Sequence, residues 1–291
     1  MWTGLPSVEG VEHREATISG VRLHIAESGA GRPLVLLHGW PQHWYCWRHV
    51  IPLLAPHFRL ICPDLRGFGW SDAPPGAYDK EQFATDLLGL LDELALDRVG
   101  LIGHDWGAWT GFLACLRAPE RFDAFLALGI TAPFAGPGPR SLVHAWRLAY
   151  QVVLAGPAGE HLLRTRPGLV RRVIRDGSHR PEAWTAADLD AFARRLQDPA
   201  RARASKCLYR TFLTRELPAV SAGRYGDRRL RVPTRLMVGQ GDPVVRPSML
   251  RGVEEHADDI RVHIVPDCGH FVPEEQPQLV AAAARELFGE R

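Results

Sequence analysis

The run Gly103-His104-Asp105-Trp106-Gly107 constrains this chain more than any other feature, because an apolar stretch (99–103) ends on it and a helical stretch (107–117) starts from it. An apolar run bounded by glycine reads as a strand, and apolar residues recurring at three and four positions read as a helix. A chain that passes from strand to helix within so few residues crowds its own backbone, and glycines on both sides relieve the crowding. The central side chain is left exposed, beside the N–H groups and positive dipole end of the helix that follows. Here that side chain is a carboxylate. Asp105 could serve merely as a turn or N-cap residue, but its full context favours a reactive position.

A carboxylate with a reference pKa of about 4 is anionic at neutral pH and needs no base to attack saturated carbon. Serine would need a base, and it would leave an ether that water cannot readily remove, whereas Asp leaves a cleavable ester. An Asp at this turn therefore suits two-step displacement at carbon bearing oxygen or halogen. Downstream, an apolar run at 233–238 ends in Gly239-Gln240-Gly241-Asp242-Pro243, and one at 261–265 is followed by Pro266-Asp267-Cys268-Gly269-His270-Phe271. Asp242 and His270 both follow strand ends, so in a parallel sheet they converge on the edge that carries Asp105. The order Asp105, Asp242, His270 is that of nucleophile, acid and base. His270 is expected to deprotonate water for attack on the ester, with Asp242 fixing its tautomer and stabilising the imidazolium. The chain has thirteen histidines, and position singles out this one. Asp267 reads as a solvated turn residue, and Ile130-Thr131-Ala132-Pro133 offers no carboxylate to replace Asp242.

Apolar runs at 21–26, 33–37, 58–62, 99–103, 125–130, 233–238 and 261–265 alternate with helical stretches such as 80–96 and 107–117. That alternation implies an α/β architecture, a mostly parallel sheet flanked by helices. It fails over 131–229, which reads as helices without strands, opened by a linker at 132–139 rich in Pro and Gly. The expected division is a core of residues 1–130 and 230–291 with an inserted helical cap, or lid, of residues 131–229. A chain of 291 residues, 46% hydrophobic, suffices for one core and one insertion.

With 35 basic and 33 acidic residues, the net charge of +2 gives no electrostatic reason to expect nucleic acid or anionic membrane as partner. No stretch approaches the roughly 20 apolar residues that cross a bilayer, and the opening residues lack a secretory pattern, so a cytoplasmic location is expected. The five cysteines are scattered without CxxC spacing and read as buried thiols. No HExxH or clustered Cys/His pattern supports a metal. Gly29-Ala30-Gly31 and Gly67-Phe68-Gly69 lack the third glycine of a dinucleotide site, so no cofactor is expected. The basic run Arg164, Arg166, Arg171, Arg172, Arg175 and Arg180 reads as a solvated helix face.

His38-Gly39-Trp40-Pro41 matches an HGxP motif, and Asp64-Leu65-Arg66-Gly67-Phe68-Gly69-Trp70-Ser71-Asp72 looks like a DxRGxGxS turn. Together with the motifs at Asp105, Asp242 and His270, in that order, these make the chain resemble the epoxide hydrolases of the α/β-hydrolase fold over nearly its whole length. The resemblance implies that the backbone N–H groups of Trp40 and Trp106 form an oxyanion hole, that a cis bond precedes Pro41, and that His38 is structural. Tyr150-Gln151, followed by Gly156-Pro157, resembles the family's YQ segment, with Ala158 separating Pro157 from Gly159. Tyr209-Arg210 resembles its YR pair, although Cys207-Leu208 precede it. The resemblance thus implies two acid donors, Tyr150 and Tyr209, with reference pKa about 10, for the alkoxide that an opening epoxide releases.

The implied reaction is hydrolysis of an epoxide to a vicinal diol through a hydroxyalkyl ester on Asp105. Haloalkane dehalogenases share GHDWG, so a hydrolytic dehalogenase is the alternative. Many of them carry Asn where Trp40 stands, however, and fluoroacetate dehalogenases carry Arg where Trp106 stands. A non-catalytic ligand-binding protein of the same fold is a further alternative. The expected partners are a small-molecule epoxide and water, with no nucleic acid and no membrane span. Self-association as a homo-oligomer stays open.

Overall fold

The structure, a computed structural model, describes residues 3–76, 78–134 and 149–289. Its strands are β1 (Glu12–Ile18), β2 (Val21–Ser28), β3 (Pro33–Leu37), β4 (Arg59–Pro63), β5 (Val99–His104), β6 (Phe122–Leu128), β7 (Thr234–Gly239) and β8 (Ile260–Val265). They form one sheet in the order β1-β2-β4-β3-β5-β6-β7-β8. The β1–β2 and β2–β4 pairs are antiparallel and the remaining neighbours are parallel. Ser19 and Gly20, both at positive φ, make the two-residue turn between β1 and β2, a handedness that matches strand twist. β5 is buried along its whole length because parallel strands are covered on both faces.

The helices are α1 (Ile51–Leu54), α2 (Lys80–Glu93), α3 (Trp106–Arg117), α4 (Ala149–Ala155), α5 (Gly159–Thr165), α6 (Pro167–Gly177), α7 (Ala186–Arg195), α8 (Pro199–Thr211), α9 (Leu217–Ser221), α10 (Val272–Glu275) and α11 (Pro277–Phe288). Gly100 on β5 faces Phe288 of α11, and its neighbour Leu101 faces Gly111 of α3. Successive strand residues point to opposite faces, so helices cover the sheet on both sides, as the alternation in the sequence implies.

Element ends differ from the sequence reading in ways with local causes. β1 gives no apolar run, since only Ala16 and Ile18 of its seven residues are buried. β6 spans Phe122–Leu128 rather than 125–130. α2 stops at Glu93 rather than 96, where the chain turns through Ala95 at φ 51°. All five cysteines are free, but Cys207 is only half-buried.

Between β6 and β7 the described residues from 149 onward are helical, without strands. Residues 135–139 of the expected linker lie outside the described residues. Thr185 and Asp188 form a capping box at the start of α7, and Asp198 caps α8 by accepting from the N–H groups of Ala200 and Arg201. α6 buries Val170, Ile174 and Gly177, which leaves Arg172 and Arg175 to solvent, while Arg171 pairs with Asp190 at 2.6 Å.

These helices dock on the turn at residues 64–72. Arg195 and Arg201 both donate to the Gly69 carbonyl, and Arg201 Nη2 donates to Ser71 O at 2.8 Å. Asp64 organises the turn by accepting from Trp44 N and Trp70 N, each at 2.8 Å, and by meeting His24 Nδ1 at 2.8 Å. Burial opposes the charge on Asp64, yet the surrounding His24, His43 and His38 hold its carboxyl well below the usual carboxylate range. The turn at residues 64–72 is thus the seat of the inserted helices. No helix among the described residues is long and apolar enough to cross a membrane.

Replacing Arg201 with Ala removes charge-assisted bonds to buried carbonyls and is expected to lower unfolding free energy by about 1 to 3 kcal/mol. Urea denaturation measures it, and an unchanged midpoint would deny Arg201 a docking role.

Candidate active site

The turn between β5 and α3 holds Asp105 at φ 50° and ψ −123°, outside the regions an L-residue prefers. It is pinned by hydrogen bonds from Asp105 N to Leu128 O and from Trp109 N to Asp105 O, both 3.0 Å. Gly107 is required, since a Cβ there would lie 2.3 Å from Leu37 O. The carboxylate is turned inward and buried. Its Oδ2 accepts from Trp40 N at 2.9 Å, and the Trp106 N–H donates to the same carboxylate. The Trp40–Pro41 bond is cis.

His270 sits on the loop after β8, with Nε2 3.8 Å from Asp105 Oδ1, too long for a direct hydrogen bond and within the span of one bridging water. On its far side, Nδ1 donates to Asp242 Oδ2 at 3.0 Å. Asp242 Oδ1 accepts from the N–H groups of Val244 and Val245 at 2.7 and 2.9 Å, so both of its oxygens are engaged. Asp267 points away, with its side chain 88% exposed. His38 is buried, donating from Nδ1 to Gly39 O and accepting from Leu65 N at Nε2, which leaves its ring no spare nitrogen.

Tyr150 on α4 and Tyr209 on α8 meet edge to face, with ring centroids 5.8 Å apart and hydroxyls in hydrogen-bond contact. Trp40 stacks on Tyr150 at 5.7 Å and meets the edge of Tyr209 at 5.2 Å. Trp106 packs on Tyr209 at 6.3 Å, and Trp40 Nε1 donates to Ser205 Oγ one helical turn before Tyr209. The structure therefore brings together Asp105, Asp242, His270, Tyr150, Tyr209 and the backbones of Trp40 and Trp106. Tyr225 lies elsewhere, with its hydroxyl on Glu81.

Charge shapes the site. Burial pushes the Asp105 pKa up to about 6, against the pull of His270 and of the Trp106 and Trp40 N–H groups. Burial works against the His270 imidazolium, yet Asp242, Asp105 and Glu275 hold its pKa up to about 9. At neutral pH the resting pair is thus carboxylate and imidazolium. Burial, helped by the Asp105 charge, raises Tyr150 to about 12, and burial with the Tyr150 and Asp105 charges raises Tyr209 well above the ordinary phenol, so both keep their protons.

Several supporting residues escape a reading of the sequence. Lys80 opens α2, yet its ammonium is buried 4.2 Å from the Trp106 ring centroid and paired with Glu216 at 2.5 Å. Arg48 joins Asp188 of α7 at 3.0 Å to Glu274 of α10 at 2.6 Å. His104 donates from Nε2 to the His270 carbonyl at 2.8 Å. The acidic pair Glu274-Glu275, so soon after His270, is a signal that could have been read; Lys80 gives none. Among the described residues, no group of three or more His, Cys, Asp or Glu side chains is placed to hold a metal.

The α/β hydrolase fold family matches residues 32–277. A soluble epoxide hydrolase of Corynebacterium sp. (strain C12) is 32% identical over 287 residues, which cover 96% of this chain and 97% of that protein. Haloalkane dehalogenase 2 of Mycobacterium tuberculosis is 30% identical over 295 residues, 98% of this chain and 97% of that protein. The solved structure of the epoxide hydrolase CorEH superposes with a TM-score of 0.82 at 32% identity, covering 96% of this chain and 98% of that one.

Asp242→Asn removes the main charge that sustains the imidazolium. The His270 ring is then expected to titrate lower than about 9, by about one pH unit or more, as followed by NMR of the ring protons. An unmoved midpoint would break the assignment of Asp242 as its partner.

Proposed function

The chain belongs to the α/β-hydrolase-fold family and within it to the epoxide hydrolases, and on that premise we propose that Asp105 and His270 convert an epoxide and water to a vicinal diol in two steps. One arrangement supports this reading above all: a buried carboxylate held by the Trp40 and Trp106 N–H groups, a His–Asp pair on one side and paired tyrosines on the other. The proposed division is a catalytic core of residues 1–130 and 230–291 under a cap of residues 131–229 that supplies the tyrosines. A cytoplasmic location accords with the free thiols.

In the first step Asp105 Oδ1 attacks a ring carbon of the epoxide, and the C–O bond of that same carbon, on the face away from Asp105, breaks. The released oxygen, which would otherwise be expelled as a strongly basic alkoxide, takes a proton from the Tyr150/Tyr209 pair. Oδ2, which accepts from the Trp40 N–H, becomes the ester carbonyl, with the Trp106 N–H beside it. Esterification removes the Asp105 charge, one of those that hold the imidazolium, so the His270 proton returns to the tyrosinate through solvent.

In the second step neutral His270 takes a proton from water, and the hydroxide attacks Cγ of Asp105. The negative charge that appears on Oδ2 is met by the Trp40 N–H already bound there and by the neighbouring Trp106 N–H. Collapse of the tetrahedral intermediate expels the diol oxygen, which takes the hydroxyl proton of that intermediate. Carboxylate, imidazolium and both phenols are restored, and the net change is addition of one water to one epoxide. The base is thus disarmed until the ester exists.

Asp105→Asn is expected to lower turnover by about 10⁴-fold or more, while His270→Gln should accumulate a covalent adduct visible by intact mass after incubation with an epoxide panel. Single turnover in heavy-oxygen water places the label on residue 105; label on another residue would overturn the mechanism. Tyr150→Phe/Tyr209→Phe is expected to lose epoxide opening by about 10²- to 10⁴-fold. Halide release from organohalides by the wild type, with no diol from any epoxide, would instead favour a hydrolytic dehalogenase. Bound ligand without chemistry would favour a binding protein.

A further inference from the structure

His270 is held by more than Asp242. The loop that carries it lies against the segment following α6, where the His270 N–H donates to Gly177 O at 2.8 Å. The approach is close enough that a Cβ on Gly269 would lie 2.5 Å from Gly177 O and 2.6 Å from His179 N. At this seam stands Glu275, the last residue of α10, with 3% exposure. Its Oε2 accepts from His179 N at 2.8 Å, Arg180 N at 3.0 Å and Gly269 N at 2.9 Å, and its Oε1 accepts from Phe271 N at 3.1 Å. Two donors thus belong to the segment that follows α6 and two to the residues flanking His270. A buried carboxylate that accepts four backbone N–H groups is a strong, oriented anchor, because each bond is charge-assisted and the donors are fixed by the chain.

We propose that Glu275 is a positioning residue for the base: its carboxylate gathers backbone N–H groups from both sides of the seam and so sets where the His270 ring stands relative to Asp105. The role rests on the reading of His270 as the hydrolytic base. Its charge also faces the imidazole, together with Asp242 after β7, Asp105 at the elbow and His104 at the end of β5. Burial holds His104 neutral, with its pKa lowered to about 3. Around Glu275 itself stand Cys268, His179 and Arg180. A part that only held the loop in place would leave the titration of His270 alone; Glu275 acts on position and charge together.

Glu275→Gln keeps the size, removes the charge and turns an amide NH₂ toward backbone donors. The variant is expected to show kcat lowered about tenfold with KM near that of the wild type, as misplacement of a catalytic group predicts. The acid limb of ester hydrolysis should move to lower pH, because neutral His270 is reached at a lower pH once an anion is withdrawn. NMR titration of the His270 ring without substrate should show the same downward movement. A folded Glu275→Gln with wild-type kcat and an unmoved ring titration overturns the proposal. Should that variant fail to fold, Glu275→Asp keeps the charge while withdrawing it by one methylene; lowered kcat with an unmoved limb supports the proposal, and wild-type kcat overturns it. If the wild type opens no epoxide at all, the reading of the site fails, while the ring titration still decides what Glu275 does to His270.

Discussion

A desolvated carboxylate at a strained turn is the constraint that orders this molecule. Asp105 occupies a backbone region that costs an L-residue about 1 to 3 kcal/mol, and its side chain is buried where charge is disfavoured. Such an arrangement persists only when its surroundings over-determine it. The bonds to Leu128 and Trp109, the absence of a side chain at Gly107 and the two N–H groups on the carboxylate supply that determination. The parallel centre of the sheet delivers β3, β5, β6, β7 and β8 to one edge, so each loop that reaches Asp105 leaves a strand end whose position the sheet has already fixed.

Electrostatics then gives the site an order of events. Because Asp105 and His270 raise or sustain each other's charge-bearing forms in the resting state, the imidazole holds its proton while the carboxylate is free. In the proposed reaction, loss of that negative charge is what would make it a base. Burial, with the same anion beside it, keeps both tyrosines protonated, so the proposed donors and nucleophile share one buried field.

Much of this was legible in the sequence, and the division between legible and hidden has a physical basis. The Asp105 turn, Asp242 and His270 announce themselves because each depends on short-range rules: glycines at a tight turn, polar residues at strand ends, a fixed chain order. Tyr150 and Tyr209 were readable only through family resemblance, since nothing local in an aromatic on a helix says where its hydroxyl points. β1 was hidden because its faces are mostly wet. Lys80 and Glu216 lie 136 residues apart, and a basic residue opening a helix looks like any solvated one until its partner is seen. Glu275 was visible as an acid but not as an acceptor of four N–H groups, because its donors come from two distant segments.

The buried Lys80–Glu216 pair bears on how molecules get in and out. Glu216 lies in the π-helical turn that continues α8, and Lys80 belongs to the core helix α2. Lifting α8 would take Phe212 and Glu216 away together and strand an ammonium against Trp106 without its counter-ion, an uncompensated charge costing about 3 to 5 kcal/mol. Arg48 and Arg201 add further ties between the inserted helices and the sheet domain. A roof clasped at several eaves would have to break every clasp to swing on a hinge. Rotation of individual side chains opens a way to Asp105 at smaller cost, so side-chain size, more than any global rearrangement, would govern which guests are admitted.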